Sequence, residues 1–334
     1  MNIVYNTDNN FVPQVCASIC SVCENNADVE NIHFHILGAE LSEESKNNLC
    51  KLAESYSREL FCYEIGNINS RFDFSFDTHG WRPVILARLL IDKIIPDTIS
   101  RVIYLDGDTI VRSSISALDS MNLDGCPIAG IIEPTVNKNQ LDIIGLSGKP
   151  YINSGVMVID ADMWRKQNIG SAIIDYYASH DGRLFAPDQD AINGAMKGKI
   201  KYISPTYNYC NTFDIYSYKS ICKIAKPVDY RQFVSEETFN EAHNDPKIIH
   251  YLGEERPWRT GNRHRFRSDF EKYLSLTPYG NMPFEEGWQT YFSCFYLFNA
   301  IMKPMPVLRY KIITKLIPAF MKYRKKQLAK EKKQ

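Results

Sequence analysis

The chain has 334 residues, 44% of them apolar, 12% aromatic and 23% charged, which excludes a disordered polymer, a collagen and a disulfide miniprotein. Its length suits one large domain or two modest ones, and it has no apolar run of the roughly 18–20 residues a membrane span requires. The 39 basic and 39 acidic residues cancel, yet from Lys303 onward eleven Lys or Arg meet a single acid, Glu331, so a tail of +10 follows a body of −10. The opening MNIVYNTDNN has neither the basic nor the apolar region of a secretory leader, so an intracellular protein is expected.

In chain order, Ile3-Val4-Tyr5 reads as a short strand ending in the polar stretch Asn6–Asn10. A helix carrying Cys16, Cys20 and Cys23 follows. Their C-x3-C-x2-C spacing matches an iron–sulfur radical enzyme, but it equally sets three small hydrophobes on one helix face beside Val12, Val15, Ile19 and Val22. With nine cysteines, an odd number, free thiols are expected. Residues 31–37 alternate as a second strand, Ser42 caps a helix reaching about Ser57, and Leu60–Ile65 is a third strand. Val84–Ile94 reads as a helix stopping before Pro96, with Arg101–Leu105 and Pro127–Ile132 as buried strands. Strands alternating with helices predict an α/β fold with a mainly parallel sheet, whose ligands bind at the carboxyl ends of the strands.

At one such end stands Val102-Ile103-Tyr104-Leu105-Asp106-Gly107-Asp108. Alternation points Asp106 and Asp108 the same way, Gly107 permits close backbone approach, and two neighbouring carboxylates call for a hard cation such as Mn²⁺ or Mg²⁺. An Asp-Gly turn in an ordinary loop is the plainer alternative. By residue type alone, His250 reads as a core histidine, Arg88 as a snorkelling arginine and Asp188 as a helix cap after Pro187.

Five segments in order decide among these readings: IVYNTDNNFVP, then ILARLLIDKIIPD with RVIYLDGDTIV, then YINSGVMVIDADMWR, APDQDAIN and IIHYLGEERPW. Over residues 2 to about 260 the chain resembles glycosyltransferase family 8, the retaining transferases that include bacterial lipooligosaccharide galactosyltransferases and glycogenin. The resemblance implies a GT-A-type, Rossmann-like nucleotide-sugar-binding fold over 1–265, followed by a helical, aromatic extension at 266–303. It implies Asp106, Asp108 and His250 as ligands of Mn²⁺ or Mg²⁺, and Asp8 and Asn10 as readers of uracil and ribose, with Asn6 in the same loop of the UDP-sugar site. Arg88, Asn153, Ser154, Asp188 and Gln189 are then the residues at the sugar, with Gly107, Glu133, Gly253 and Arg256 completing the UDP-sugar site. Arg256 stands where the family usually has lysine, Glu133 where many relatives carry aspartate, and THGWRPVIL departs from the common form.

The implied activity is retaining transfer of galactose or glucose from a UDP-hexose. In the tail (304–334), Leu308, Ile312, Leu316, Phe320 and Tyr323 fall near helical spacing among basic residues, with Pro318 expected to kink or split the helix. That pattern predicts docking on an anionic membrane and a lipid-linked or cell-envelope glycan acceptor, reached from the cytoplasmic side, with no nucleic acid as partner. The alternatives are a family member glycosylating a protein, a catalytically silent sugar-nucleotide-binding module, and the radical enzyme with a cluster on Cys16, Cys20 and Cys23.

Overall fold

The structure is a computed structural model that describes residues 1–331, with side chains described through Lys326. Lys332 and Lys333 of the basic tail lie outside the described residues. Ten strands are present among the described residues: β1 (Asn2–Asp8), β2 (His33–Ala39), β3 (Glu59–Glu64), β4 (Arg101–Leu105), β5 (Thr109–Val111), β6 (Ile128–Ile132), β7 (Ile152–Asp160), β8 (Ile200–Tyr202), β9 (Tyr209–Cys210) and β10 (Ile248–His250). Seven form a sheet in the order β3-β2-β1-β4-β7-β6-β8, in which β7 alone runs antiparallel to its neighbours β4 and β6. The mixed α/β class and the mainly parallel sheet are those the sequence predicts.

Alternation within the central strands builds two cores. Val4, Val102 and Tyr104 face one layer with Trp164 and Ile173, while Ile3, Tyr5, Ile103 and Leu105 face the helix Val12–Asn25 on the other. Strands covered on both sides need no polar face, which is why β4 is apolar and buried from Val102 to Leu105. On the Val12–Asn25 helix Cys16 and Cys23 enter the second core, whereas Cys20 enters a third core around β9 and β10. Burial raises all three thiols, Cys20 to about 11 and Cys23 to about 12, the opposite of what thiolate ligands require. The cluster alternative is therefore set aside.

Three local expectations change. β1 extends to Asp8, so Asn6 and Asp8 sit on a strand and its last residue rather than in a loop. The segment expected as a helix from Val84 is a 3₁₀ helix, Pro83–Leu90, followed by one α-turn, Ile91–Ile94. Such a long 3₁₀ run is uncommon and is held by a buried side chain: Arg88 Nε donates to the Ile85 carbonyl one turn back at 3.1 Å, while the guanidinium points toward β4 and β7. Pro318 does not split the tail, which forms one helix, Pro306–Glu331. No helix among the described residues is long and apolar enough to cross a membrane.

The chain leaves β1 for β2 on one side and returns through β4 on the other. This reversal of direction opens a crevice between the carboxyl ends of β1 and β4. A second sheet, β5-β10-β9, closes over that end, with β10 antiparallel to β5 and parallel to β9.

Candidate active site

The second sheet is what brings His250 to the two aspartates. Its register pairs His250 with Thr109, and the Tyr251 amide donates to the Asp108 carbonyl at 3.0 Å. His250 Nε2 consequently lies 3.3 Å from Asp108 Oδ1 and 3.7 Å from Asp106 Oδ2. One ligand atom from each of the three residues falls within 4.8 Å of the others. Gly155 of β7 makes room for them, since a Cβ there would stand 2.1 Å from His250 Cε1 and 2.8 Å from Asp106 Oδ2. Two carboxylates and an imidazole around a cradle that a methyl group would fill fit Mn²⁺ or Mg²⁺.

The imidazole is fixed from behind. His250 Nδ1 donates to Asn208 Oδ1 at 2.8 Å, Asn208 Nδ2 donates to Asn153 Oδ1 at 2.9 Å, and Asn153 Oδ1 also accepts the Gly155 amide at 2.9 Å. This chain assigns the Nε2-lone-pair tautomer that faces the carboxylates. Burial opposes charge on Asp108, but His250 and then Arg256 outweigh it and hold the carboxyl below its ordinary range. Burial likewise disfavours the imidazolium, yet Asp108 outweighs it and His250 is raised.

Arg88 ties the remaining acids together. It is buried, donates to Asp106 Oδ1 at 2.7 Å, lies 3.1 Å from Asp188 Oδ2, and donates to the carbonyl and hydroxyl of Ser154 at 2.9 Å each. Tyr104 stacks beneath the guanidinium at 4.4 Å and donates to Asp106 Oδ1 at 2.8 Å. This arginine does not snorkel, and removing either partner of such a buried pair costs on the order of 3–5 kcal/mol. Burial raises the Asp188 carboxyl, with Arg88 opposing, and Ser154 Oγ donates to it at 3.1 Å. The Gln189 side-chain oxygen accepts the Ser154 amide at 2.9 Å. The helix Pro187–Ala195 holds both residues in place: Asp190 accepts from the Ala186 amide and the Tyr151 hydroxyl, and Asn193 pairs with both backbone groups of Ile152.

Asn6, Asp8, Arg88, Asp106, Gly107, Asp108 and Arg256 line one open cavity at the carboxyl ends of β1 and β4. His250, Asn153, Ser154, Asp188 and Gln189 connect to it through Arg88 and Asn208. Asn10 is exposed, and its backbone amide donates to Asp8. Glu133 and Gly253 do not line this cavity: Glu133 accepts from Thr135 beside a separate crevice, and Gly253 borders an apolar hollow under the C-terminal helices. Sequence reasoning missed Asn208, Trp81, Arg82 and Arg324, which have no local pattern. Arg82, in the divergent THGWRPVIL segment, pairs with Asp8 at 3.1 Å.

The crevice between β1 and β4, with acids at its mouth, belongs to a mixed α/β fold of the GT-A type, as comparison with known proteins shows. The sequence pattern of glycosyl transferase family 8 matches residues 2–261, and the chain belongs to that family. It is 28% identical over 262 residues to the lipopolysaccharide 1,2-glucosyltransferase of Escherichia coli K12, covering 77% of this chain and 72% of that protein. It is 25% identical over 289 residues to the lipopolysaccharide 1,3-galactosyltransferase of Salmonella typhimurium LT2, covering 84% and 79%. The crystal structure of the galactosyltransferase LgtC with donor and acceptor sugar analogues superposes with a TM-score of 0.69 at 22% identity, over 83% of this chain and 96% of that one, which establishes the shared fold.

Proposed function

We propose that this glycosyltransferase is a divalent-metal-dependent, retaining hexosyltransferase that moves galactose or glucose from a UDP-sugar to a lipid-linked or cell-envelope glycan. The observation that carries this is the convergence of Asp106, Asp108 and His250 within 4.8 Å at the carboxyl end of β4. When bound there, Mn²⁺ or Mg²⁺ supplies Lewis-acid neutralisation of the charge that grows on UDP as the glycosidic bond breaks. Asp8, held by Arg82 and the Asn10 amide, offers its carboxylate to the nucleoside, while Asn6 shapes the floor beside it with its amide given to the Val84 carbonyl and its oxygen accepting from the Tyr104 hydroxyl. Arg256 adds a bidentate cation next to Asp108 where the family usually has a point charge.

On the sugar side, Asp188 is already held by Arg88 and Ser154, and Gln189 is an amide whose oxygen is taken up by the Ser154 amide. Neither is a ready nucleophile, which supports front-face attack through a short-lived ion pair over double displacement. The catalytic unit spans 1–265, with 266–303 as an extension and 304–334 as a membrane-association tail.

The tail's outer surface supports that last assignment. Leu297, Ile301, Leu308, Leu316 and Tyr323 are exposed on two helices, Gln289–Met302 and Pro306–Glu331, and Met305 in the turn between them, along with the exposed Lys303, Lys311, Lys315 and Lys322. Apolar groups interleaved with lysines suit the cytoplasmic face of an anionic membrane. Incubating the protein with UDP-galactose and UDP-glucose, with and without Mn²⁺ or Mg²⁺, tests the reading. Metal-dependent release of UDP from one of them is expected, followed by transfer when glycan acceptors are offered. No release from any UDP-sugar refutes it.

A further inference from the structure

The C-terminal helix Pro306–Glu331 lies outside the family's segments, yet its inner face reaches the donor cavity. Arg324 lines that cavity together with Asp108, Arg256 and Trp81. Its guanidinium stacks 4.7 Å from the centre of the Trp81 ring, and Nη1 stands 3.7 Å from Glu254 Oε1. Glu254 also pairs with Arg259, so one carboxylate serves two guanidinium groups while Arg256 adds a third close by. Burial and then repulsion by Arg256 lower Arg324 to about 10. A mostly buried cation among other cations, at the edge of a cavity beside a metal-ligand set, is a place where a polyanion is favoured.

The helix is also seated there by contacts that do not involve ligand. Lys325 pairs with Asp77, and Met321 is buried. Gly80, at φ +99°, lies so close that a Cβ would meet the Lys325 backbone nitrogen at 3.0 Å and the Met321 carbonyl at 3.3 Å. Only glycine accepts both that backbone conformation and that contact. Asp77, Gly80 and Trp81 all fall in or beside the THGWRPVIL segment that departs from the family's common form. The loop that differs is the loop the tail rests on.

We propose that the C-terminal helix forms a wall of the donor site and that Arg324 binds the diphosphate of the nucleotide sugar. This rests on the UDP-sugar reading above. The tail is then bifunctional, with one face toward the membrane and the other toward the donor.

Titration of the full chain with UDP by calorimetry in the presence of Mn²⁺, with uridine followed in parallel by ligand-observed NMR, tests the inference. Arg324→Ala is expected to weaken UDP at least tenfold and leave uridine unchanged. Arg324→Lys should fall between, since it keeps charge but not the planar fork. Asp108→Asn, in the same assay, should lose the Mn²⁺-dependent part of UDP binding. If Arg324→Ala binds UDP within twofold of the parent, or loses uridine and UDP equally, the inference is overturned while the UDP-sugar reading stands. If the parent chain itself binds no UDP, both fall.

Discussion

The side chain of Asn208 takes its partners from far along the chain, standing between Asn153 on β7 and His250 on β10. Outer partners of this kind orient a metal-binding imidazole, and their loss commonly weakens metal affinity 10–100-fold. Asn208→Ala is therefore expected to weaken Mn²⁺ binding by about that factor, measured by electron paramagnetic resonance of the free ion, with the far-ultraviolet circular dichroism spectrum unchanged. An affinity equal to the parent's refutes the role. Asp106, Asp108 and His250 could be singled out beforehand because strand alternation aligns the aspartates and five ordered segments carry the histidine. Asn208 and Tyr104 were out of reach because their roles depend on which strands pair, and neither residue type signals that by itself. Arg88 was named, but its burial between two carboxylates was not, since a chain read linearly shows an arginine on an apolar stretch and not the acids that neutralise it.

Among the elements, β4 and β6 were legible to within a residue, because each is a compact apolar run, and the helix Val12–Asn25 was legible as an element from the spacing of its valines and cysteines. The Pro83–Leu90 segment was misread because α and 3₁₀ windings share an apolar period over so few turns, and it was Arg88's buried contacts that decided between them. β2 carries a pH dependence of its own. His35 is buried between Phe61 and Tyr63, with Nδ1 accepting from the Tyr63 hydroxyl at 3.0 Å and Nε2 donating to Asn2 Oδ1 at 3.2 Å. Burial, with His33 adding to it, lowers His35 to about 4 from 6.5. The unfolded chain then takes up the proton first, so the stability that neutral His35 contributes is present above pH 6.5 and is lost as pH falls toward 4. Thermal melting of His35→Gln should fall less steeply than the parent's across that window. Parallel curves would show that another group sets the acid limit.

For the molecule as a whole, the basic tail resolves into one helix with basic residues on two faces. Lys311, Lys315 and Lys322 are exposed on it, whereas Arg309 and Met321 are buried and Arg324 lines the cavity beside Asp108. Reversing the three lysines to glutamate is expected to abolish co-sedimentation with anionic vesicles at low salt and, at physiological salt, to change UDP affinity less than Arg324→Ala does, because exposed charges are screened whereas Arg324 lines the cavity. A parent chain that ignores such vesicles would remove the membrane role. The amphipathic spacing of the tail was legible in the sequence. Its seat on Gly80 was not, because a glycine's reason for being glycine is visible only when something lies against it.

The small β5-β10-β9 sheet has a thermodynamic consequence. Asp108 precedes β5 and His250 ends β10, so these two proposed ligands, distant in the chain, meet only while those strands are paired. A cation that binds the paired state alone stabilises it by mass action, by about 2.7 kcal/mol at a concentration one hundred times its Kd. Saturating Mn²⁺ should then raise the melting temperature of the parent and leave that of Asp108→Asn unchanged. The Tyr251 amide, bonded to the Asp108 carbonyl, should become the local reporter, its hydrogen exchange slowing as metal is added. The availability of manganese would thereby set how long this end of the protein stays closed, before any sugar arrives.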